Sequence, residues 1–362
     1  MAKILVLANN DVGLYKFRKE LLQKLANQGN EIYISLPYGD MVNPLIDMGC
    51  RFINTEIDRR GINPFTDLKL LLKYYKIITN QKPDLIITYT VKPNIYGGMI
   101  CRMKKVPYTI NITGLGTAFQ KEGLLKRIII SLYKISCKKA KVIFFENKGN
   151  QNIFIRSKIV KKEQTCKLNG AGVNLDEYML SKYPDDTGEI RFLFIGRVMK
   201  EKGVDELFEA AQKIKKEYDN VIFDIVGPME DDYKEIIRDL EYGGIIHYYG
   251  YQSDVKPFIE RSNCLILPSY HEGMANTLLE AGAMGRPLIT SNIYGCKEAV
   301  IAGKTGYLVN AKDGEDLYIR LKQFIDLPYE LKVKMGIDSY THIQKKFDKI
   351  LVVEKTIDRL IT

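Results

Sequence analysis

Only three histidines, His247, His271 and His342, occur in 362 residues, and no histidine-rich metal site can be assembled from them. The six cysteines (Cys50, Cys101, Cys137, Cys166, Cys264 and Cys296) show no C-x-x-C pair and no zinc-finger spacing. They sit mostly among apolar neighbours, as reduced structural thiols do. No apolar run approaches the ~20 residues that a membrane-spanning helix needs. Met1-Ala2-Lys3-Ile4-Leu5 leads straight into a strand rather than a signal peptide, so a cytoplasmic chain is expected. The first strand is not followed by G-x-G-x-x-G, which argues against a dinucleotide-binding dehydrogenase. Low-complexity segments are absent as well.

What is present is a lopsided charge. Residues 1–180 carry 29 basic and 14 acidic residues, net +15, whereas the remainder carries 25 and 30, net −5. Between Lys121 and Lys167, 13 basic residues stand against Glu122, Glu146 and Glu163. Such a region attracts anionic lipid, a phosphorylated carrier or nucleic acid. Nucleic acid is disfavoured, because the basic run has no interleaved surface aromatics and no recognisable module.

The length suggests two domains of roughly 180 residues. Strand 3–8 passes through the turn Asn9-Asn10-Asp11-Val12-Gly13 into a helix from Leu14 to about Asn27. Strands at 31–36, 51–54, 84–88, 108–111 and 141–145 then alternate with helices at 41–48, 65–80, 94–103, 123–139 and 148–157. Ser181–Gly188, polar and marked by Pro184 and Gly188, reads as the linker. A second round follows, with strands at 191–195, 220–226, 245–248, 264–267, 287–290 and 306–309 and helices starting near Gly203, Asp231, Val255 and Asn276. Short connections between alternating strands and helices imply parallel sheets covered on both faces, with ligands at the carboxyl ends of the strands. The expected architecture is α/β, with two doubly wound Rossmann-like domains over 1–180 and 189–345.

The richest stretch is Asn263–Thr290, NCLILPSYHEGMANTLLEAGAMGRPLIT. A buried strand, a tight polar turn holding Glu272 and Gly273, and a helix opening near Asn276 would set a carboxylate beside the N–H groups of a helix start. That combination suits a sugar attached to a phosphate. Glu280, about two helical turns on, would share the face of Glu272. A second strand end carries Gly196-Arg197-Val198-Met199-Lys200-Glu201-Lys202-Gly203, in which Arg197 offers a fork of donors and Lys202 a mobile point charge for phosphate oxygens.

Glu-x7-Glu inside S-x-x-E-G-x5-L-E-A, preceded by G-R-x-x-x-x-K-G, resembles the retaining family 4 glycosyltransferases, the group 1 transferases. Their GT-B fold has two Rossmann-like domains facing a central cleft. The resemblance covers nearly the whole chain and is strongest toward N-acetylgalactosaminyltransferases of surface-polysaccharide and bacterial N-glycan pathways. It implies that Glu272, Arg197 and Lys202 are catalytic. Gly13, Gly196, Gly273, Met274, Ala275, Asn276 and Thr277 would bind the donor, with Glu280 on the ribose and Tyr251 framing the base. Gly13 taken alone reads equally as a plain turn glycine. The loops at Tyr89–Asn94 and Asn111–Thr117 look like the acceptor side, with Lys92, Asn94, Thr113 and Gly114 as candidates. Many family members carry His before Gly in the second loop, whereas Thr113 stands here. By resemblance, Lys346–Thr362 crosses back to the first domain.

The expected activity is transfer of a hexose or N-acetylhexosamine from a UDP-sugar to a glycan on undecaprenyl diphosphate. No cofactor is implied, and the absence of Asp-x-Asp gives no support to a bridging metal. The acids Glu230-Asp231-Asp232 read as favouring a helix dipole. Helix 123–139 places Leu125, Ile128, Ile129, Leu132 and Ile135 along one side and Arg127, Lys134, Lys138 and, if the turn continues, Lys141 along the other. It is either a packed domain helix or a contact with the inner membrane's cytoplasmic surface. Two alternatives are a UDP-N-acetylglucosamine 2-epimerase-like isomerase and a non-catalytic nucleotide-sugar-binding module. The first would need acid and base groups around the sugar, and the first domain has no histidine; the second would leave Arg197, Lys202, Glu272 and Glu280 jointly unexplained.

Overall fold

The computed structural model of the protein describes residues 1–58, 61, 63–116, 119 and 123–361. Lys121, Glu122 and Thr117, named above, lie outside the described residues. Two compact units emerge, Met1–Ala171 with Val352–Thr362, and Gly172–Leu351. The polar segment Ser181–Gly188 therefore belongs to the second unit rather than between the two.

In the first unit the strands are β1 (Lys3–Leu7), β2 (Glu31–Leu36), β3 (Arg51–Asn54), β4 (Leu85–Tyr89), β5 (Tyr108–Ile112), β6 (Ile143–Phe145) and β7 (Thr165–Lys167). They form one sheet of order β3-β2-β1-β4-β5-β6-β7, parallel throughout. Three-residue β7, T-C-K after a single 3-10 turn, is too short to read from sequence. The helices are α1 (Asp11–Asn27), α2 (Val42–Asp47), α3 (Pro64–Gln81), α4 (Gly98–Lys104), α5 (Leu124–Cys137) and α6 (Lys148–Arg156), with a π-turn over Pro93–Gly97 ahead of α4.

Alternation along β1 shows how both faces are covered. Ile4 and Val6 join a core with Leu14, Leu21 and Leu25 of α1 and Val42 and Leu45 of α2. Leu5 and Leu7 point the other way, to Leu70, Tyr74 and Ile78 of α3, Ile100 and Cys101 of α4 and Tyr133 and Cys137 of α5. Val352, Val353, Ile357 and Leu360 complete the first of these cores. They come from α13 (Lys349–Ile361), separated by Asp348 from α12 (Tyr329–Phe347). All six cysteines are buried thiols.

The second unit repeats the plan with β8 (Ile190–Ile195), β9 (Val221–Val226), β10 (His247–Tyr248), β11 (Cys264–Leu267), β12 (Leu288–Ser291) and β13 (Gly306–Val309). Their order is β10-β9-β8-β11-β12-β13, again parallel. Its helices are α7 (Val204–Lys215), α8 (Lys234–Tyr242), α9 (Lys256–Glu260), α10 (Asn276–Ala283), α11 (Gly314–Ile325) and α12.

Three expectations need correction here. Gly13 is not on the loop after β1: α1 begins at Asp11, and the Gly13 N–H is the group that the Asn10 side chain caps, at 2.8 Å. Glu230, Asp231 and Asp232 precede α8, which starts only at Lys234. The side of α5 expected to pack does so only in part: Ile129 and Leu132 lie against the core with the buried Tyr133, Ser136 and Cys137, whereas Leu125 at 42%, Ile128 at 46% and Ile135 at 45% are exposed.

Asn94 is 1% exposed; it accepts from Thr88 Oγ1 at 2.7 Å and donates to the Asn111 carbonyl at 2.8 Å, tying β4 to β5. Its amide is thereby committed to the core. Asn94→Ala would leave buried polar groups without partners, and unfolding free energy measured in urea is expected to fall by about 1–3 kcal/mol.

Candidate active site

In the second unit, the chain runs from β8 outward to β9 and β10, and from β11 outward to β12 and β13. β8 and β11 are neighbours, so the loops leaving their carboxyl ends diverge and open a crevice between them, the position where doubly wound sheets bind ligands. Both motifs read from the sequence sit on these two loops.

Close main-chain contact brings them together. Gly203, at φ +71°, precedes α7, and a Cβ there would lie 2.1 Å from the Pro268 carbonyl oxygen at the end of β11. Only glycine combines that backbone angle with that approach. The Tyr270 N–H donates to the Glu201 carbonyl at 2.9 Å, fastening the second loop to the first. In consequence the Lys202 ammonium donates to Glu272 Oε1, and both side chains are largely shielded, 17% and 12% exposed. Arg197 donates to Glu230 Oε2 at 2.7 Å on a more open surface, 45% and 24% exposed.

The turn carrying Glu272 and Gly273 is supported from β12. The Ala275 N–H donates to the Gly295 carbonyl at 2.9 Å. Gly295, at φ +92°, lies so near that a Cβ would stand 2.6 Å from the Gly273 oxygen and 2.9 Å from the Glu272 Cβ. Met274 and Ala275 are buried and Thr277 is half-buried. α10 then opens at Asn276 with no side-chain cap and no acid in its first turn. Asn276 Oδ1 is buried without a hydrogen-bond partner. An uncapped helix start leaves N–H donors and the positive end of the helix dipole available to an anion.

Glu272 and Glu280 do not share a helical face as the spacing suggested, because Glu272 lies four residues ahead of α10. Glu280 is inside it and hydrogen-bonds the Tyr178 hydroxyl, whose pKa is driven up by burial first and by the carboxylates of Glu280, Glu177 and Asp254 next. Gly196 follows β8, its N–H bonded to the Val226 carbonyl at 2.9 Å. Tyr251 is 63% exposed on the loop after β10, two strands from β8.

In the first unit, Thr113 and Gly114 follow β5 and are half-buried. Lys92, after β4, is neither exposed nor solvated: it pairs with Asp67 of α3 at 2.7 Å, and Asp67 also accepts from the Tyr96 hydroxyl at 2.8 Å. Among the described residues, no cluster of three or more His, Cys, Asp or Glu could hold a metal ion. Gly295 and Tyr178 escaped the sequence reading, and Glu230 entered it only as a helix-dipole acid, not as the partner of Arg197. Gly295, a glycine just beyond a strand, gave the only available signal.

Comparison with known proteins agrees with this geometry. Residues 178–342 match the group 1 glycosyl transferases, and residues 3–147 match the glycosyl transferase 4-like family. The chain is a glycosyltransferase built of these two domains. The transferase is 27% identical over 336 residues, 88% of each chain, to the N,N'-diacetylbacillosaminyl-diphospho-undecaprenol alpha-1,3-N-acetylgalactosaminyltransferase of Campylobacter jejuni. It is 26% identical, over 70% of its own length and 69% of the relative's, to the UDP-Gal:alpha-D-GlcNAc-diphosphoundecaprenol alpha-1,3-galactosyltransferase of Escherichia coli. Its fold is GT-B, superposing on HepE of Anabaena, solved with UDP and glucose, at TM-score 0.80 with 16% identity over 99% of both chains. The resemblance drawn from the two motifs thus extends to family and fold, and the epimerase-like and binding-only alternatives are set aside.

Gly295→Ala is expected to push the Glu272-Gly273 turn out of place. Displacements near 1 Å cost catalysis about 100-fold, so glycosyl transfer should fall by that order in a steady-state assay while the far-UV circular dichroism spectrum is retained.

Proposed function

We propose that the transferase moves a hexose or N-acetylhexosamine from a UDP-sugar to a glycan carried on a lipid diphosphate, with retention of anomeric configuration and without a metal or other cofactor. The observation that carries this reading is the convergence of Lys202, Glu272 and the uncapped start of α10 at the β8–β11 switch. The names of the two relatives above, which act on undecaprenyl-diphosphate-linked sugars, supply the acceptor class.

As the donor's glycosidic bond to phosphate breaks, negative charge grows on the diphosphate and positive charge on the anomeric carbon. Lys202, Arg197 and the α10 N–H groups meet the first, and preplaced donors of this kind supply most of the rate enhancement in such a site. The acceptor hydroxyl bonds the anomeric carbon from the face the diphosphate leaves, and its proton passes to the departing phosphate oxygen. Glu272 orients the sugar and stabilises its positive charge. Double displacement would require a second carboxylate at the sugar, and Glu280, engaged with Tyr178, is assigned to the ribose.

Incubating the protein with a panel of nucleotide sugars and a lipid-diphosphate glycan, with and without chelator, should give acceptor-dependent UDP release that survives the chelator. Glu272→Ala should lower kcat at least 100-fold, a far larger effect than its change in donor affinity. Parental turnover in Glu272→Ala would overturn its assignment, and loss of activity on chelation would overturn metal independence.

A lipid-linked acceptor has to be met at a bilayer, and two helices of the first unit suit that surface. Beside the exposed apolar side chains of α5, α3 presents Phe65 at 77%, Leu68 at 56% and Leu72 at 52% exposure, and both helices pack against the same face of the sheet. Lys69, Lys73 and Lys76 accompany the α3 stripe; Arg127, Lys134 and Lys138 accompany that of α5. Apolar stripes bordered by bases bind anionic interfaces, here assigned to the cytoplasmic face of a bacterial inner membrane. Among the described residues no helix is long and apolar enough to cross one. The protein should co-float with phosphatidylglycerol vesicles and not with phosphatidylcholine vesicles, and Leu125→Glu/Ile128→Glu should abolish flotation; equal flotation of the variant would refute this surface.

A further inference from the structure

Both cations assigned to the donor diphosphate already hold a carboxylate: Lys202 has Glu272, and Arg197 has Glu230. Each positive side chain is neutralised by a negative one, so an incoming diphosphate has to compete with a carboxylate for either cation. The two pairs differ in what opening costs. Lys202 and Glu272 are shielded, and separating them would strand a charge in a poorly solvated place. Arg197 and Glu230 are partly in water, where an ion pair is worth only about 1 kcal/mol or less.

Glu230 does not reach Arg197 by a chance swing of a surface side chain. Beyond the end of the sheet, the loops after β8 and β9 remain stitched by main-chain bonds. The Val198 N–H donates to the Pro228 carbonyl at 2.8 Å, and the Glu230 N–H returns to the Val198 carbonyl at 3.1 Å. The Asp231 carboxylate then accepts from the Lys200 N–H at 2.9 Å. Arg197 and Glu230 are thereby fixed on facing strands of one small ladder, with the carboxylate held where the guanidinium is.

We propose that Glu230 is an exchangeable counter-anion for the nucleotide diphosphate. It keeps the Arg197 guanidinium oriented and neutralised in the unliganded protein, yields it to the diphosphate on binding, and takes it back as the nucleoside diphosphate departs. Glu230 is thus a positioning residue that weakens diphosphate binding and so assists product release. This inference rests on the donor assignment made above.

The test is calorimetric titration of the full chain with UDP and with uridine. Glu230→Gln keeps the shape and a hydrogen-bond acceptor while removing the charge, and it should bind UDP about five-fold more tightly, the factor equivalent to one exposed ion pair. Uridine affinity should not change. In an Arg197→Met background, Glu230→Gln should leave UDP affinity unchanged, because the pair acts as a unit. Glu230→Ala, compared with the parent by thermal melting, serves as the second charge-removing variant and should shift UDP affinity the same way. Unchanged or weaker UDP binding by both Glu230 variants overturns the proposal, as does equal tightening in the Arg197→Met background, which would indicate a diffuse field rather than exchange. Absence of UDP binding by the parental protein is a different result: it overturns the donor assignment itself.

Discussion

Everything at the candidate site depends on the approach of two main chains. At the point where α7 begins, the backbone of Gly203 touches the carbonyl of Pro268, leaving no room even for a methyl group. The contact joins a loop from β8 to a loop from β11, and those strands are neighbours only because the strand order reverses between them. A side chain at Gly203 would force the loops apart, and Lys202 would lose Glu272. The parallel sheet therefore supplies the crevice, while glycine sets its width.

That narrowness also governs electrostatics. Lys202 and Glu272 attract each other more strongly than an exposed pair because little water screens them. The same shielding makes either charge expensive to leave alone. A ligand that brought its own negative charge to Lys202 would compensate the lysine as Glu272 let go of it. Arg197, further into solvent, has no such constraint. The site thus holds one cation that is committed and one that is readily exchanged.

Much of this was legible in the sequence, for physical reasons that can be named. Strands such as KILVL and EIYISL are buried on both faces of a parallel sheet and read as nearly continuous apolar runs behind a charged first residue, so the alternation of strand and helix was visible. Arg197, Lys202 and Glu272 were visible because they sit at strand ends beside glycines. What failed were inferences that extend helical geometry past a helix end. Glu272 to Glu280 looked like two turns of one helix, although half of that spacing is the extended turn before α10. On α5 the periodicity was right but only part of the apolar side is used: Ile129 and Leu132 pack against the core beside Tyr133, Ser136 and Cys137, while Leu125, Ile128 and Ile135 are exposed. Periodicity identifies a two-sided helix, but does not say how much of the apolar side faces the core.

The polar segment Ser181–Gly188 failed for another reason. Arg286 is completely buried, and among the described residues no carboxylate hydrogen-bonds to it. Its guanidinium instead donates to the carbonyls of Ile259, Glu260, Met284, Ser181 and Lys182 and to the Ser181 hydroxyl. Burial lowers its pKa to about 10, which still leaves it charged at neutral pH. A charge in the interior must be solvated by something, and backbone dipoles do so here. Ser181 and Lys182 are consequently tied into the second unit, whose span starts at Gly172, ahead of the polar run. Asp185 to Gly188 are exposed, as their polarity suggests, while the start of the run lends its backbone carbonyls and the Ser181 hydroxyl to the solvation of a buried cation.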